Sequence, residues 1–519
     1  MHTLMSTNFT WLDWAIVAVY LVASIAIGVW ANRYVGNLSD YLVAGRTLKL
    51  RLALATMTGT ELGLVTVMYS SELGFTQQFA SLYLTVIEGT SLLIIGMTGI
   101  VVYRLRAAMV LTIPEYYEQR YSQGVRVLGG VMMVTAGVLN MGLFLKAGSQ
   151  FLTAISGLPQ GDFLNWIMTV LLLLVLFYTV LGGMVSVVIT DLIQFIVLGT
   201  AMIIVTLFVF THIGYDGFAK SFQQDGMYVN PFQPDNPSHL GQIKKGGNIG
   251  TLTVVTQATV LFTALMLWPA GVSRTLAVKT PKIAKQLFLW STVPFLARRA
   301  LPVFWGIGAY VFFFATAGPA MQHEFAAALQ DGTVNTQAAM PLFLAKIIPT
   351  GLLGLVTAGM VAAFMSTHDS YLLCWSGVMT QDIIGPLFGP LSQRQRILTT
   401  RVSIVAIGLM LLFWGLWYEL EGNLWGYMAV TGTIYLAGVL PVVIGGLYWR
   451  YGSSVGAYIA LVLGTLGGLG LEEPVNWIQQ ASGLQWIQSG HMTLFAFAVS
   501  SLGYVVGSLA FPDNKPEQK

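Results

Sequence analysis

Long apolar runs follow one another along almost the whole chain, from Trp11 to Phe511, with short polar gaps between them. Each run is long enough for a helix to cross the hydrocarbon core of a bilayer, which takes about 20 residues. The runs lack the alternation over about ten residues that marks the strands of a membrane barrel. Lipid offers no hydrogen bonds to an open backbone, so each run should be a helix. The pattern therefore predicts an all-α membrane protein with about thirteen transmembrane helices, at residues 12–31, 52–72, 80–103, 127–147, 163–184, 186–211, 251–273, 297–316, 350–377, 398–418, 424–448, 454–471 and 491–511.

The composition supports a chain surrounded by lipid. Of its 519 residues, 55% are hydrophobic and only 9% are charged, whereas a soluble domain carries about 25% charged residues. We predict one membrane domain over residues 1–519, multi-pass in the inner (plasma) membrane, with the lipid bilayer as a partner and no nucleic acid. The first span lacks a small-residue cleavage site and is expected to be retained. The single cysteine, Cys374, excludes an internal disulfide and a multi-cysteine metal site.

The Lys and Arg residues predict the orientation, because cytoplasmic loops carry an excess of them. With the N-terminus outside, 20 of the 25 Lys and Arg residues fall on the inner side, and these include Arg274, Arg298 and Arg299. The outer side keeps Lys146, Lys220, Lys244, Lys245 and Lys346. An odd number of spans places the C-terminus in the cytoplasm.

The spans divide into two groups of five, at residues 52–211 and 251–448. An extra N-terminal helix at 12–31 precedes them, and two C-terminal helices at 454–511 follow. Because five is odd, the two groups have opposite orientations, as in transporters built from inverted repeats.

Each group opens with a span that contains helix-weakening residues. Gly59 and Gly63 fall in the second span, and Pro269 and Gly271 fall in the seventh. Paired interrupted helices of this kind indicate a binding site near the bilayer midplane. Trp268 beside Pro269 suits a stacking and hinge element, or ordinary packing.

Ionisable residues inside the predicted spans are few, and each is a functional candidate, because such a charge costs at least about 2.5–3.5 kcal/mol at the bilayer centre. They are Glu61, Glu88, Asp191, His368 and Asp369. Other interpretations stay open: Glu61 protonated or bonded to a neighbour in a tight crossing, Asp191 as a helix cap or interface charge, and Glu88 in helix association. His368 suits a proton relay, although a structural role is more usual for a lone histidine.

The densest group of polar residues lies in the ninth span. Ser366, Asp369 and Ser370 share a helix face at spacings i, i+3 and i+4. Their hydroxyl and carboxylate oxygens are the ligands that hard cations prefer. The alternative is that the hydroxyls bond the carbonyls of the preceding turn and let helices pack closely. The adjacent acid favours a cation site.

The second span resembles that group in its chemistry. From Ala55 to Gly63 it places two glycines and three threonines around Glu61, which suggests a locally opened helix with exposed carbonyls.

The chain carries no Walker loop, dinucleotide fingerprint, HExxH or GxSxG motif. We therefore expect neither ATP coupling nor enzyme activity.

Five segments in order resemble motifs of the sodium:solute symporter family. "LTIPEY" at 111–116 is similar to its T-[IL]-P-E-[FY] segment, and "YTVLGGMVSVVITDLIQ" at 178–194 is similar to its Y-x-x-x-G-G-…-T-D-x-x-Q signature. Arg274 with Ala277 and Lys279 resembles its Q-R-x-x-A-x-[KR] stretch, and "AGMVAAFMSTHDS" at 358–370 resembles its A-x-x-A-A-x-M-S-[ST] motif, followed by Asp382. The resemblance covers nearly the whole chain.

The resemblance implies the leucine-transporter fold, with two inverted five-helix repeats, flanking helices and alternating access. It implies a main Na⁺ site on the carbonyls of Ala55, Thr58 and Ala363 and the hydroxyls of Ser366 and Thr367.

A second Na⁺ site, found in some members, would fall on Asp191, Ser366, Asp369 and Ser370. Asp369 stands where the family usually has a hydroxyl. The acid strengthens this second site, favours a proton there, or abolishes the family geometry.

The resemblance also implies a solute site between the broken second span and the seventh. The implied residues are Met57, Thr60, Glu61, Leu261, Trp268 and Pro269. Apolar residues where the sugar-carrying branch has polar ones argue against a sugar, and the chain is nearer to the proline-carrying branch. Thr56 replaces an acid of that branch, which argues against proline itself, and Glu61 suits a solute with an amine or several donors.

The expected function is Na⁺-coupled symport of a small organic solute, an amino acid, a carboxylate or an amine-like compound, with Na⁺ as the coupling ion. H⁺ coupling through Glu61, Asp369 and His368, or a membrane sensor built on the same fold, are the alternatives.

Overall fold

A computed structural model describes residues 6–31, 44–158, 162–223, 226–233, 235, 249–389, 391–418 and 423–513. Within these ranges the regular structure is helical, apart from one isolated β-bridge between Leu48 and Val278. The helices of the first part are α1 (Trp11–Ala31), α2 (Leu50–Glu61), α3 (Leu64–Thr76), α4 (Tyr83–Thr98), α5 (Val102–Ala107), α6 (Ile113–Arg120), α7 (Gln123–Met141), α8 (Phe144–Ser156) and α9 (Asp162–Gln223).

The second part adds twelve helices. They are α10 (Thr251–Leu267), α11 (Pro269–Ala277), α12 (Pro281–Val311), α13 (Pro319–Gln330), α14 (Ala339–Ile347), α15 (Leu352–Val378), α16 (Gly385–Phe388), α17 (Gln393–Trp417), α18 (Leu424–Tyr448), α19 (Ser454–Gly464), α20 (Glu472–Ser482) and α21 (Ser489–Ala510). The segments Phe312–Thr316 and Met379–Ile384 are π-helical.

The described residues contain nine helices that are long and apolar enough to cross a membrane, or up to eleven if each bent pair counts as one span. The predicted all-helical fold is confirmed, and the count of thirteen stays a prediction. Two predicted spans, 163–184 and 186–211, lie in the one helix α9 of 62 residues. Of the residues that gave the orientation, Arg33, Lys244, Lys245, Lys515 and Lys519 lie outside the described residues.

Both predicted helix interruptions are present. The second span breaks between α2 and α3, whose axes differ by 58°, and Leu62 and Gly63 form the junction. The seventh breaks at Trp268, which has an extended backbone between α10 and α11. Pro269 is the first residue of α11, where proline's missing N–H is not needed and its fixed φ suits a helix start.

Close helix crossings hold these pieces in place. At Gly306 of α12, a Cβ would lie only 2.0 Å from the carbonyl oxygen of Ser71 in α3, so no larger residue fits there. Small residues allow such backbone approach in membranes, where packing rather than water exclusion drives helix association. The helix α15 is buried along most of its length and packs against α1, α2, α9 and α17.

Candidate functional site

The break in the second span is where α2 meets α15. A Cβ on Gly63 would lie 2.2 Å from Oγ1 of Thr367, so the glycine at the break is what lets α15 approach. Thr367 Oγ1 donates to the carbonyl oxygen of Thr60 at 3.0 Å and to that of Ala363 at 3.1 Å. The two segments expected to form the main Na⁺ site therefore lie in direct contact.

The carbonyls freed at the break differ from those expected. The Thr58 carbonyl still accepts a hydrogen bond from Leu62 N–H at 2.8 Å. The carbonyls of Thr60 and Glu61 lie at the break, and Glu61 accepts from Thr66 Oγ1 at 3.2 Å and from the Arg298 guanidinium. A helical carbonyl keeps a second lone pair, so Thr58 still suits a cation ligand.

Asp191 is the centre of a second, fully buried group of oxygens. It accepts hydrogen bonds from Thr56 Oγ1 at 2.5 Å, from Thr60 Oγ1 at 3.3 Å and from Ser366 Oγ. Arg274 Nη2 lies 3.5 Å from the same carboxylate. Asp191 is inside α9 and bonded to α2 and α15, so it is neither a helix cap nor an interface charge.

Ser370 extends this group to the remaining predicted residues. Its Oγ lies 3.1 Å from Thr60 Oγ1, donates to Asp369 Oδ1 at 3.1 Å, and receives a hydrogen bond from Arg274 Nη2 at 2.5 Å. We call Asp191, Thr56, Thr60, Ser366, Asp369, Ser370 and Arg274 the ion cluster. The four residues implied for a second Na⁺ site lie together in it, and their neutral and acidic oxygens suit a hard cation.

Arg274, which the orientation prediction counted on the inner side, is part of a helix and not of a loop. It lies in α11 and is completely buried. Because α11 continues to Ala277 and packs on α2 and α15, the guanidinium faces protein and pairs with Asp191. Its place in the family-like R-x-x-A stretch was the available signal.

A central cavity of about 100 Å³ lies at both helix breaks. Five of the six predicted solute residues line it, namely Met57, Thr60, Glu61, Leu261 and Trp268. Pro269 instead lines a separate cavity of about 30 Å³ beside Cys374. Trp268 Nε1 donates to Tyr371 OH at 3.0 Å, and both rings form part of the cavity wall.

Two arginines that the orientation prediction counted on the inner side line the same cavity. Arg298 and Arg299 lie within α12, nearly or fully buried. Arg298 donates from Nε to Glu88 Oε1 at 3.1 Å, and its Nη1 lies 3.6 Å from Glu61 Oε2. Arg299 Nε donates to Glu88 Oε2 at 2.5 Å. We call Glu61, Glu88, Arg298 and Arg299 the solute cluster.

Arg298 and Arg299 are not among the functional candidates named from the sequence, because they stand at the predicted start of the eighth span, residue 297, where flanking charges are common. The helix in fact begins sixteen residues earlier, at Pro281. A buried charge without a partner is strongly destabilising, and Glu88 in α4 supplies that partner. The role of Glu88 in helix association, left open above, is present in the structure.

His368 lies apart from both clusters. Its Nδ1 is 2.8 Å from the carbonyl oxygen of Phe364, and its ring lies 3.9 Å from the Phe364 ring and 5.8 Å from that of Phe144. Among the described residues, Nε2 has no hydrogen-bond partner. No hydrogen-bonded relay therefore joins His368 Nε2 to Glu61 or Asp369 within the part of the chain that the structure describes.

A second cavity, of about 570 Å³, lies next to the central one and reaches α20. Val260, Trp425 and Ala429 line both cavities. Trp425 Nε1 donates to Gln257 Oε1 at 3.1 Å and joins α18 to α10. These three residues form a partition between the larger cavity and the central one.

Comparison with known proteins agrees with this architecture. The sodium:solute symporter family matches residues 41–464. The sodium/glucose cotransporter of Vibrio parahaemolyticus is 26% identical over 88% of this chain and 84% of its own length. The sodium/proline symporter of Staphylococcus aureus is 23% identical over 97% of this chain and 93% of its own.

Solved structures show the same fold. A Na⁺-coupled sialic acid symporter in a substrate-bound outward-open state superposes with a TM-score of 0.76 at 15% identity, covering 97% of this chain and 99% of that one. A nucleobase-cation-symport transporter in a closed conformation gives 0.51 at 12% identity, over 92% and 95%. Both likenesses concern the leucine-transporter type of fold. With the family matched over most of its length, the chain belongs to the sodium:solute symporter family and is a membrane transport protein, not an enzyme, with Na⁺ as its coupling ion.

Proposed function

We propose that the chain carries a small organic solute, an amino acid, a carboxylate or an amine-like compound, into the cell together with Na⁺. The observation that supports this most directly is that two threonines belong to both regions. Thr60 lines the central cavity and donates to Asp191, and Thr367 lines the cavity and bonds α15 to α2. An ion bound among these oxygens would fix the wall of the solute cavity.

In the proposed cycle, Na⁺ binds between α2 and α15. The carbonyls of Ala55, Thr58 and Ala363 and the hydroxyls of Ser366 and Thr367 form the main site, and Asp191, Asp369 and Ser370 form the second. Solute binds in the central cavity beside Glu61 and Trp268. Coupling requires that Na⁺ bind one conformation more tightly than the other. The hydrogen bond from Thr367 to the break in the second span would carry the effect of bound Na⁺ to the wall of the central cavity.

Two alanine variants test the ion site. Ser366→Ala and Thr367→Ala each remove one hydroxyl from the α2–α15 contact, and we expect each to raise the Na⁺ concentration for half-maximal uptake in proteoliposomes. Thr357→Ala is the matched control, because Thr357 is buried in the same helix and donates to the Leu353 carbonyl of that helix. Unchanged Na⁺ dependence in both variants, or uptake driven by a pH gradient without Na⁺, would refute the assignment.

We further propose thirteen spans with the N-terminus outside, the C-terminus in the cytoplasm, and inverted repeats at 52–211 and 251–448. If its 62 residues formed one straight helix, α9 would be about 93 Å long, roughly three times the hydrocarbon thickness, which is too long for a single span. The apolar segments Phe163–Phe177 and Val187–Gln223 within it suit two spans. In a Cys374→Ser background, a cysteine at exposed Glu473 should react with an impermeant maleimide on whole cells, and one at exposed Lys282 should not. The reverse result would invert the topology.

A further inference from the structure

The guanidinium of Arg299 is incompletely bonded. Its Nε donates to Glu88, and its Nη2 reaches Tyr69 OH at 3.3 Å, a long hydrogen bond. Its Nη1 is buried and has no hydrogen-bond partner among the described residues. A buried donor left without a partner is destabilising, and more so when the group is charged. The two Nη atoms form one edge of the guanidinium fork, and no carboxylate of the described residues pairs with that edge.

The neighbouring carboxylates of the described residues pair with other nitrogens and not with this edge. One oxygen of Glu88 accepts from Arg298 and the other accepts from Arg299 Nε. Glu61 lies beside Arg298, which also donates to the Glu61 carbonyl. The charges of the solute cluster sum to zero, so the feature that indicates a ligand is the unused pair of donors and not an excess of positive charge.

Arg299 belongs to the cavity wall. Its guanidinium carbon lies 5.3 Å from the centre of the Tyr69 ring and 4.8 Å from that of Trp425. Arg299, Tyr69 and Trp425 all line the central cavity. The aromatic rings hold the planar guanidinium in a fixed orientation, which lowers the entropy lost when a ligand binds to its fork.

The rest of the cavity favours an apolar body on the ligand. Its wall includes Val260, Leu265, Phe144 and Phe295. The volume of about 100 Å³ is of the same order as the ~150 Å³ of a cavity that holds one benzene molecule. The cavity therefore suits a short, compact solute.

We propose that the solute is a small monocarboxylate with a short apolar chain, and that its two oxygens bind the Nη1 and Nη2 edge of Arg299. This rests on the proposed function, of which it specifies the solute class. A carboxylate matches a guanidinium fork with two parallel hydrogen bonds. A free ammonium group is disfavoured because the acid in the cavity wall, Glu61, already lies against Arg298.

The test compares two probes of the same shape, butanoate and butanamide, by thermal shift of the purified full-length protein in Na⁺ buffer. Binding to the folded state raises the melting temperature. We expect butanoate to raise it and butanamide to leave it unchanged. Equal shifts with both probes, no shift with either, or a shift with 2-aminobutanoate but not with butanoate would each overturn the proposal.

Two variants identify the arginine. Arg299→Lys keeps a positive charge for Glu88 but removes the fork, and we expect it to weaken butanoate binding by about tenfold or more. Arg298→Lys is the matched control, since the Arg298 nitrogens are already used by Glu88 and the Glu61 carbonyl, and it should weaken butanoate binding less. Equal affinity in Arg299→Lys and the original protein would contradict the assignment.

The shift produced by Na⁺ alone separates the two proposals. If Na⁺ stabilises the protein and butanoate does not, the solute assignment fails while Na⁺-coupled transport stands. If Na⁺ has no effect, the proposed function itself fails. If Arg299→Lys loses the Na⁺ response, we take the variant as misfolded. The comparison of butanoate with butanamide on the original protein then decides whether the solute is a carboxylate.

Discussion

The ion cluster and the solute cluster meet at α2, and both bury arginines beside carboxylates, yet their hydrogen-bond inventories are opposite. In the ion cluster, hydroxyls and one guanidinium converge on Asp191, and Asp369 adds a second carboxylate beside Ser370. Hydroxyl groups rotate and accept as readily as they donate. This region therefore has acceptors to offer, which is what a cation needs.

The solute cluster has the reverse excess. Glu88 uses both its oxygens on two guanidinium groups, and Arg299 still has donors left. The contact between α2 and α15 thus offers acceptors, and the neighbouring helix α12 offers donors. Buried arginines alone therefore do not indicate a ligand. Arg274 Nε also has no hydrogen-bond partner among the described residues, yet the oxygens of the ion cluster surround its guanidinium, whereas Arg299 lines a cavity.

The largest expected effect comes from Glu88→Gln. The change leaves two buried guanidinium groups without their shared carboxylate, and breaking a buried pair in this way costs about 3–5 kcal/mol. We expect a strongly lowered melting temperature in detergent. The matched control is Glu118→Gln, which makes the same chemical change at the more exposed pair with Arg126 and should cost no more than about 1 kcal/mol. Equal destabilisation by the two changes would remove the basis of the solute cluster.

A pair of glycine variants separates the two regions sterically. Gly63→Ala drives a Cβ to 2.2 Å from Thr367 Oγ1, whereas Gly271→Ala meets Met57 Cε at 3.4 Å, an ordinary contact. Overpacking of this kind costs about 1–3 kcal/mol. We expect Gly63→Ala to lower both stability and Na⁺-driven uptake. In Gly63→Ala/Thr367→Ala the stability should recover in part, because the clashing Oγ1 is gone, while uptake stays low, and Gly271→Ala should keep its stability. A stable Gly63→Ala protein would disprove the close α2–α15 contact.

Asp191→Asn sharpens the contrast by removing one acid from the ion cluster alone. We expect Na⁺ binding to weaken by about tenfold, equivalent to about 1.4 kcal/mol, because the carboxamide offers one acceptor oxygen and no charge. Butanoate binding at saturating Na⁺ should change little. Na⁺ titrations and butanoate titrations by thermal shift measure the two effects, and a variant that weakens only butanoate binding would reverse the assignment of the clusters.

Trp268→Phe has the smallest expected effect. It removes the hydrogen bond to Tyr371 and keeps an aromatic ring in the cavity wall, so the free energy of unfolding should fall by about 0.5–1.5 kcal/mol. Tyr371→Phe removes the same bond from the other side. If the two single changes and the double change lower stability by the same amount, the bond is their shared cause, and additive losses would show that it is not.

The sequence predicted the skeleton of the site well, because glycine and proline act locally. Gly63 and Pro269 mark breaks that the structure places at those positions. The meeting of α2 with α15 depended on the family resemblance, since no local pattern brings together residues about 300 positions apart. The part that Arg298 and Arg299 play in the site was not predicted, because hydropathy cannot distinguish a charge that ends a span from one inside it. Their pairing with Glu88 in α4 offsets the cost of burial, and that pairing is a tertiary contact.

Trp425, in the partition between the two cavities, is held by contacts with three side chains. Its indole rests on the guanidinium of Arg299 and on the ring of Tyr69, 4.9 Å away, while one hydrogen bond to Gln257 ties it across to α10. A solute that binds Arg299 would change the contact between this guanidinium and the Trp425 indole. Trp425 therefore contacts the residue proposed to bind the solute and also stands between the two cavities. Binding in the central cavity and passage into it would depend on the same side chain.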